Sequence, residues 1–143
     1  MFTDLNLWLT AGAALSGIAA ILHICIIFGG ASWYRFFGAG ERMARASENG
    51  NWQPTVITTS IAIVLFVWAA YALSGAGVAF SLPLKKVALI GITSVYMLRG
   101  LLFIPFLVAK RQKVTQFAIW SSVICLGYGL THLLGTLQVW DKL

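Results

Sequence analysis

Arg99 is the residue whose chemistry least fits its surroundings in the sequence. It lies in an apolar run from Val87 to Ala109 that contains no other charged residue. A guanidinium at bilayer depth costs roughly 2.5–3.5 kcal/mol on insertion scales, and such residues usually face a partner, a water pocket or a pathway. Because Arg99 lies 13 residues after Lys86 and 11 before Lys110, we expect it near the membrane midplane. There it should face the interior of a helix bundle or a partner protein.

The charge of Arg99 has no counterpart in the apolar parts of the sequence. None of the four apolar runs contains Asp or Glu, so an ion pair within the membrane helices of one chain is excluded. An unpaired guanidinium favours a small anion, the head group of a lipid, or an acidic residue of a partner helix. The sequence therefore predicts a membrane protein that binds a lipid, a small anion or a partner helix around Arg99, as a transport protein or an accessory subunit.

Four other polar side chains have helical spacing that could place them with Arg99 in one row of polar groups inside the bundle, a polar track. Tyr96 precedes it by three residues, His23 follows small residues in the first run, and Tyr128 and His132 are four residues apart in the last. The predicted ligand- or partner-binding residues are thus Arg99, Tyr96, His23, His132 and Tyr128. A neutral histidine in such a track could relay protons. The alternative is that each group is hydrogen-bonded locally and has a structural role.

The two histidines do not form a shared metal or haem site within one chain. Counting along the runs, His23 and His132 differ in depth by about 15 Å, so one iron cannot bind both. A haem with one histidine ligand, or one shared between chains, remains as an alternative. Cys25 and Cys125 form no Cys-x-x-Cys pair and resemble small hydrophobic residues. We predict no metal site and no cofactor.

Composition and hydropathy predict the elements that position these residues. Charged residues make up 10% of the chain, against about 25% in soluble domains. Four apolar runs, at about 7–30, 55–80, 84–109 and 114–140, each exceed the roughly 20 residues that cross a bilayer as a helix. Their short connections predict an all-α fold in a single integral membrane domain, 1–143, with a four-helix transmembrane bundle in up-down-up-down order.

The basic residues between the runs predict the orientation. Six of them are on one side of the membrane and three on the other: Arg35, Arg42, Arg45, Lys110, Arg111 and Lys113 against Lys85, Lys86 and Lys142. The positive-inside rule then predicts a multi-pass inner (plasma) membrane protein with both termini on the non-cytoplasmic side. The net charge of +6 is thus a topology signal rather than a sign of nucleic-acid binding. The predicted partners are membrane lipid and a homo-oligomer or larger membrane complex.

The one long connection, 31–51, alternates aromatic and basic residues. This pattern predicts an amphipathic segment that rests on the cytoplasmic interface between the first two membrane helices. It could serve as a simple connector or as a lid over a site that is entered from the cytoplasmic leaflet.

Part of this connection carries a short motif, Glu41-Arg42-Met43-Ala44-Arg45-Ala46-Ser47-Glu48-Asn49. It resembles the Glu-Arg-x-x-Arg-Ala-x-x-Asn signature of the membrane-associated eicosanoid and glutathione metabolism family, whose members are four-helix membrane proteins that form trimers. The resemblance implies a membrane-embedded glutathione-dependent enzyme, in which Arg42, Arg45 and Asn49 would contact glutathione at the cytoplasmic surface.

The sequence departs from that family just after the motif. Gly50 and Pro54 interrupt the helix that the family continues, Trp52 replaces an expected acid, and the later His-Thr-x-x-Tyr pattern is absent. The leading prediction is therefore a non-enzymatic membrane protein, with the glutathione-dependent enzyme and the haem protein as alternatives.

Overall fold

The computed structural model describes residues 5–78, 80–102 and 116–143, and their regular secondary structure is helical, without a strand. They form α1 (Leu7–Phe36), α2 (Glu41–Glu48), α3 (Gln53–Gly75), α4 (Lys85–Leu101), α5 (Gln116–Gln138) and a final 3-10 turn at Trp140–Lys142. The all-α prediction is confirmed. The described residues contain five α-helices rather than four, because the long connection itself contains the short helix α2.

Three of these helices, α1, α3 and α5, are long and apolar enough to cross a membrane. The third predicted run, 84–109, corresponds to α4, which has 17 residues and ends at Leu101. The rest of that run from residue 103, and the predicted polar turn at residues 110–113, lie outside the described residues. A membrane protein is thus supported by three candidate spans.

Glycines and a serine determine where the long helices bend or end. α1 is interrupted at Gly30, the predicted helix end, where φ is 66° and ψ is −152°, but the helix resumes and reaches Phe36. α3 ends at Gly75 rather than at Phe80. There the Oγ atom of Ser74 donates to the carbonyl of Phe80 and accepts from the amide of Leu82. These bonds turn the chain back after Gly75, so the helix cannot continue along the whole apolar run.

The described chain divides into two compact units, and Gly17–Phe66 forms the second of them. Its buried centre contains Ile26, Tyr34 and Ala44, with Phe37 and Met43 partly buried against them. The apolar side of the connection after α1 therefore packs within this unit, while its charged residues are exposed. The buried hydroxyl of Tyr34 also accepts a hydrogen bond of 3.2 Å from Thr58.

The first unit combines the N-terminal residues through Ser16 with Val67–Leu143. Within it α4 and α5 run antiparallel and approach closely through two glycines. A Cβ atom on Gly129 would lie 3.1 Å from the backbone nitrogen of Met97, and one on Gly100 would lie 3.1 Å from that of Leu126. Small residues at such crossings let the helix backbones come together, which fixes the register of the side chains on α4 and α5.

Asn6 ties three elements of the first unit together at one end. Its side-chain oxygen accepts from the amide of Leu9 at 2.8 Å, which caps the start of α1. Its backbone amide donates to the carbonyl of Ala76, and its side-chain nitrogen donates to Gln138 at 2.8 Å. The start of α1 is thereby fixed to the ends of α3 and α5.

Candidate functional site

Tyr96 lies at the centre of an aromatic and polar cluster in the first unit. Its ring centroid is 5.4 Å from that of Tyr128, 5.3 Å from that of His132 and 5.1 Å from that of Trp68. Its hydroxyl lies 3.0 Å from the Oγ atom of Ser16, and this hydrogen bond is buried. The structure therefore brings together three of the five residues that helical spacing placed on one track, namely Tyr96, Tyr128 and His132.

His132 is fully buried in this cluster, with an exposed fraction of 0%. Its Nδ1 atom lies 2.8 Å from the carbonyl oxygen of Tyr128. A carbonyl can only accept, so in the neutral ring Nδ1 carries the proton and Nε2 presents a lone pair. Nε2 is buried and has no hydrogen-bond partner among the described residues.

Gly12 provides the space that the imidazole occupies. A Cβ atom on Gly12 would lie 2.8 Å from Cε1 of His132 and 3.1 Å from each ring nitrogen. The ring is thus pressed against the backbone of α1. A haem iron needs an accessible ring nitrogen, and this packing leaves no room for a porphyrin at Nε2. Nor do the described residues group three or more His, Cys, Asp or Glu side chains that could hold a metal ion.

His23 belongs to the second unit and is half-buried there. Its Nδ1 atom lies 2.7 Å from the carbonyl oxygen of Ala19, one turn earlier in α1. This contact satisfies one ring nitrogen within the helix that carries it.

Arg99 lies in the last turn of α4 and is exposed at the surface of the first unit. Its midplane position stays a prediction, since the rest of the run from residue 103 lies outside the described residues. Arg99 lies outside the buried cluster around Tyr96, and a contact of its side chain with a partner protein stays a prediction. Its position at a helix C-terminus is electrostatically favourable for a cation.

The guanidinium of Arg99 reaches across to the first turns of α5. Nη2 donates to the Oγ atom of Ser121 at 3.2 Å, and Nη1 donates to that of Ser122 at 3.4 Å. The Oγ atom of Ser122 in turn donates to the carbonyl of Ala118 at 2.9 Å. Ser121 follows Gln116 by five residues, so the guanidinium lies about 8 Å along α5 from its first residue.

No acidic group neutralises Arg99 within the described residues, where its hydrogen-bond partners are two uncharged hydroxyls. The sequence contains no Asp or Glu between Glu48 and Asp141. The described ion pairs all use the carboxylates of Glu41 and Glu48, which bind other arginines. The arrangement is therefore a cationic hydrogen-bond donor, held by hydroxyls on an otherwise apolar surface.

The alternative cytoplasmic site is arranged around an ion-pair cluster in the second unit. Arg35 binds Glu41 at 2.9 Å and Glu48 at 2.7 Å, and Arg45 binds Glu41 at 3.0 Å. Hydrogen bonds from Arg35 and then Arg45 lower the pKa of Glu41 to about 2, and the hydrogen bond from Arg35 lowers that of Glu48. The charge of Arg45, one of the predicted glutathione contacts, is thus already paired.

The other two residues of that alternative site, Arg42 and Asn49, are exposed. Asn49 follows the last residue of α2, and its amide donates to the carbonyl of Arg45. Gly50 comes next with a φ of 69° and ends the helix. The motif therefore lies on a helix of 8 residues, and the structure contains the interruption that distinguishes this sequence from the glutathione family.

Further residues near the site share the helical spacing of the predicted binding residues. Gly12, Ser16 and Ser121 belong to small-residue stripes that share helical spacing with His23 and His132. Thr93 and Thr136 lie three residues before Tyr96 and four after His132, and both are buried. Their spacing alone could have placed them beside the predicted track.

Comparisons of the chain with protein-family models, curated proteins and solved structures found no match.

Proposed function

We propose that this chain is a small multi-pass integral membrane protein that binds the phosphate of an anionic lipid through Arg99. The observation that carries the proposal is the guanidinium itself, which is exposed on an apolar surface and has two serine hydroxyls as its described partners. A phosphate would supply the missing negative charge and accept the remaining donors, because guanidinium and phosphate match in charge and geometry.

The membrane arrangement in this proposal has four spans. Three are the long apolar helices α1, α3 and α5, and the fourth is the run that begins with α4 and continues to residue 109. An up-down-up-down order then puts the connections with six basic residues on the cytoplasmic side of the inner membrane and both termini on the other. The C-terminal end of α4, which carries Arg99, faces the cytoplasmic leaflet.

The position of Arg99 favours a lipid over a site inside the protein. Its side chain is exposed, so in a membrane it meets lipid or another chain. It lies about 8 Å along α5 from Gln116, within the reach of a long side chain to the head-group region. Anionic lipids are concentrated in the cytoplasmic leaflet and attract basic residues there. We therefore infer a bound lipid phosphate held between the ends of α4 and α5.

The role that fits this site is non-enzymatic. Arg99, Ser121 and Ser122 supply hydrogen-bond donors and acceptors, but they do not include a general base or an activated nucleophile. A lipid held at this place would act as a structural ligand of an accessory subunit in a membrane complex. An acidic residue of a partner helix is the competing occupant, and the experiment distinguishes it from lipid.

Native mass spectrometry of the protein in a neutral detergent, titrated with phosphatidylglycerol and phosphatidylethanolamine, tests the proposal. The wild type should bind phosphatidylglycerol more tightly. Arg99→Gln should weaken that binding about tenfold or more, since a hydrogen bond to a charged group contributes about 1.5–3 kcal/mol. Binding of phosphatidylethanolamine should change little.

Arg42→Gln is the matched control, because it removes one exposed positive charge and leaves the contacts of Arg99 untouched. Its affinity for phosphatidylglycerol should stay close to that of the wild type. Equal losses in both variants would indicate diffuse surface charge and would overturn the proposal. An Arg99-dependent complex with another protein, without a preference for phosphatidylglycerol, would assign the site to a partner helix instead.

A further inference from the structure

Three polar atoms in the first unit are buried and have no hydrogen-bond partner among the described residues. They are Nε2 of His132, Oγ1 of Thr93 and Oγ1 of Thr136. The residues are 0%, 8% and 4% exposed. A threonine in a helix can satisfy its hydroxyl on the carbonyl one turn back, as Thr131 does with Gly127 at 2.8 Å. Thr93 and Thr136 do not, so their hydroxyls are available to a ligand.

The three atoms belong to one region of the α4–α5 pair. Thr136 follows His132 by four residues on α5, so the two side chains lie one above the other on the same face. Thr93 precedes Tyr96 by one turn on α4, and the Tyr96 ring is 5.3 Å from the His132 ring. Because α4 and α5 are antiparallel, residues that precede Tyr96 on α4 lie beside residues that follow Tyr128 on α5. Thr93 therefore lies towards the turn of α5 that contains His132 and Thr136.

The hydrogen-bonding capacities of these atoms define what can bind. Nε2 of neutral His132 can only accept, whereas each threonine hydroxyl can both donate and accept. A ligand must therefore donate to Nε2 and exchange hydrogen bonds with the hydroxyls. The described helices around these atoms, α1, α4 and α5, contain no Asp or Glu, so they offer a cation no counter-charge. An anion would be repelled by the lone pair of Nε2. The ligand that fits these atoms is therefore neutral.

Close packing limits the size of that ligand. The His132 ring already contacts α1 so tightly that a single Cβ atom on Gly12 would lie 2.8 Å from it. Water is a neutral molecule of suitable size, and buried waters typically make about three hydrogen bonds to polar groups that lack other partners. We propose that His132, Thr93 and Thr136 form an internal water-binding site within the helices of the first unit.

Bound water would extend the polar contacts already present around His132. On one side of the ring, Nδ1 is fixed by the carbonyl of Tyr128, and nearby the hydroxyls of Ser16 and Tyr96 join α1 to α4. A water molecule bound to Nε2 on α5 also hydrogen-bonds the hydroxyl of Thr93 on α4, and so it joins the two helices. The site is independent of the proposed lipid contact, which lies on an exposed surface at the end of α4.

Radiolytic hydroxyl-radical footprinting of the full chain in lipid nanodiscs tests this inference. X-ray pulses generate radicals from water in place, so a buried imidazole or phenol is modified when water is bound beside it. We expect modification of His132 and Tyr96 in the wild type, although both are more than nine-tenths buried. Replacing both hydroxyls in Thr93→Val with Thr136→Val should reduce the modification of His132 to the unirradiated background.

Thr131→Val is the control, because it makes the same change at a half-buried position of α5 whose hydroxyl bonds Gly127, and it should leave the modification of His132 unchanged. The single variants Thr93→Val and Thr136→Val replace the double variant if the latter does not fold. Absence of modification at His132 in the folded wild type would overturn the proposal. Equal modification of His132 in the wild type and in folded valine variants would also overturn the proposal.

Discussion

Gly12 of α1 lies directly against the imidazole of His132 on α5, since a Cβ atom at Gly12 would be 2.8 Å from Cε1 of that ring. The nearest atoms are ring atoms of a fully buried side chain, which is also held through Nδ1 by the carbonyl of Tyr128. The ring has little freedom to move away. Gly12 therefore determines whether His132 can occupy its place beside Tyr96.

Gly12→Ala should destabilise the protein by about 1–3 kcal/mol, because an extra methyl group in a well-packed interior forces side-chain or backbone shifts. Thermal unfolding in detergent, followed by near-UV circular dichroism, measures the effect. Gly17→Ala is the matched control on the same helix, since a Cβ atom there meets no atom within 4 Å. An unfolding temperature for Gly12→Ala equal to that of the wild type would contradict the observed packing.

Gly129→Ala should separate α4 from α5. Its Cβ atom would lie 2.7 Å from the sulfur and 3.1 Å from the backbone nitrogen of Met97, and the backbone cannot give way as a side chain can. We expect a loss of about 1–3 kcal/mol in unfolding free energy, measured by denaturant titration in mixed micelles. Gly127→Ala, on the same helix with open space at its Cβ position, should change it little. Similar losses in the two variants would argue against the close approach.

The ion pairs of the second unit predict a pH dependence. Arg35 and Arg45 lower the pKa of Glu41 to about 2 from its ordinary value of 4.5, and Arg35 lowers that of Glu48. Because the folded-state pKa values are depressed, the stabilisation by these pairs is complete above pH 4.5. It is lost as the pH falls from there towards 2. Carbon-13 NMR of the carboxyl groups of Glu41 and Glu48 should show that both have a pKa below the ordinary value of 4.5.

Arg35→Gln tests whether Arg35 causes the low pKa values of Glu41 and Glu48. It removes the hydrogen bonds that contribute most to lowering the pKa values of Glu41 and Glu48, so both values should rise towards 4.5. Arg42→Gln removes a neighbouring charge that makes no ion pair with the described residues and should leave the titration largely unchanged. Titration of Glu41 near 4.5 in the wild type would show that the pairs do not persist in solution.

The long helices could be predicted from the sequence because lipid leaves an apolar segment of this length few alternatives. A backbone without water must satisfy its own hydrogen bonds, so the runs that begin at Leu7 and near Pro54 become α1 and α3. The position of Tyr128 and His132 on one face of α5 was also predictable, because residues four apart share a face of a helix.

The orientation of Arg99 could not be predicted in the same way. Its helix is apolar around most of its circumference, so periodicity does not separate the face that contacts α5 from the exposed face. The ion pairs between Arg35 and α2 depend on the bend at Gly30 and on the left-handed backbone of Gly38 and Gly40, which sequence spacing does not specify.

Solid-state NMR in bilayers can detect the contact between Arg99 and a lipid phosphate, through dipolar dephasing between nitrogen-15 in the arginine guanidinium groups and phosphorus-31 in phosphatidylglycerol. We expect a dephased arginine signal in the wild type that is absent from Arg99→Gln and retained in Arg42→Gln. Identical dephasing in the wild type and Arg99→Gln would contradict it, because the lipid phosphate would then contact other arginines and not Arg99.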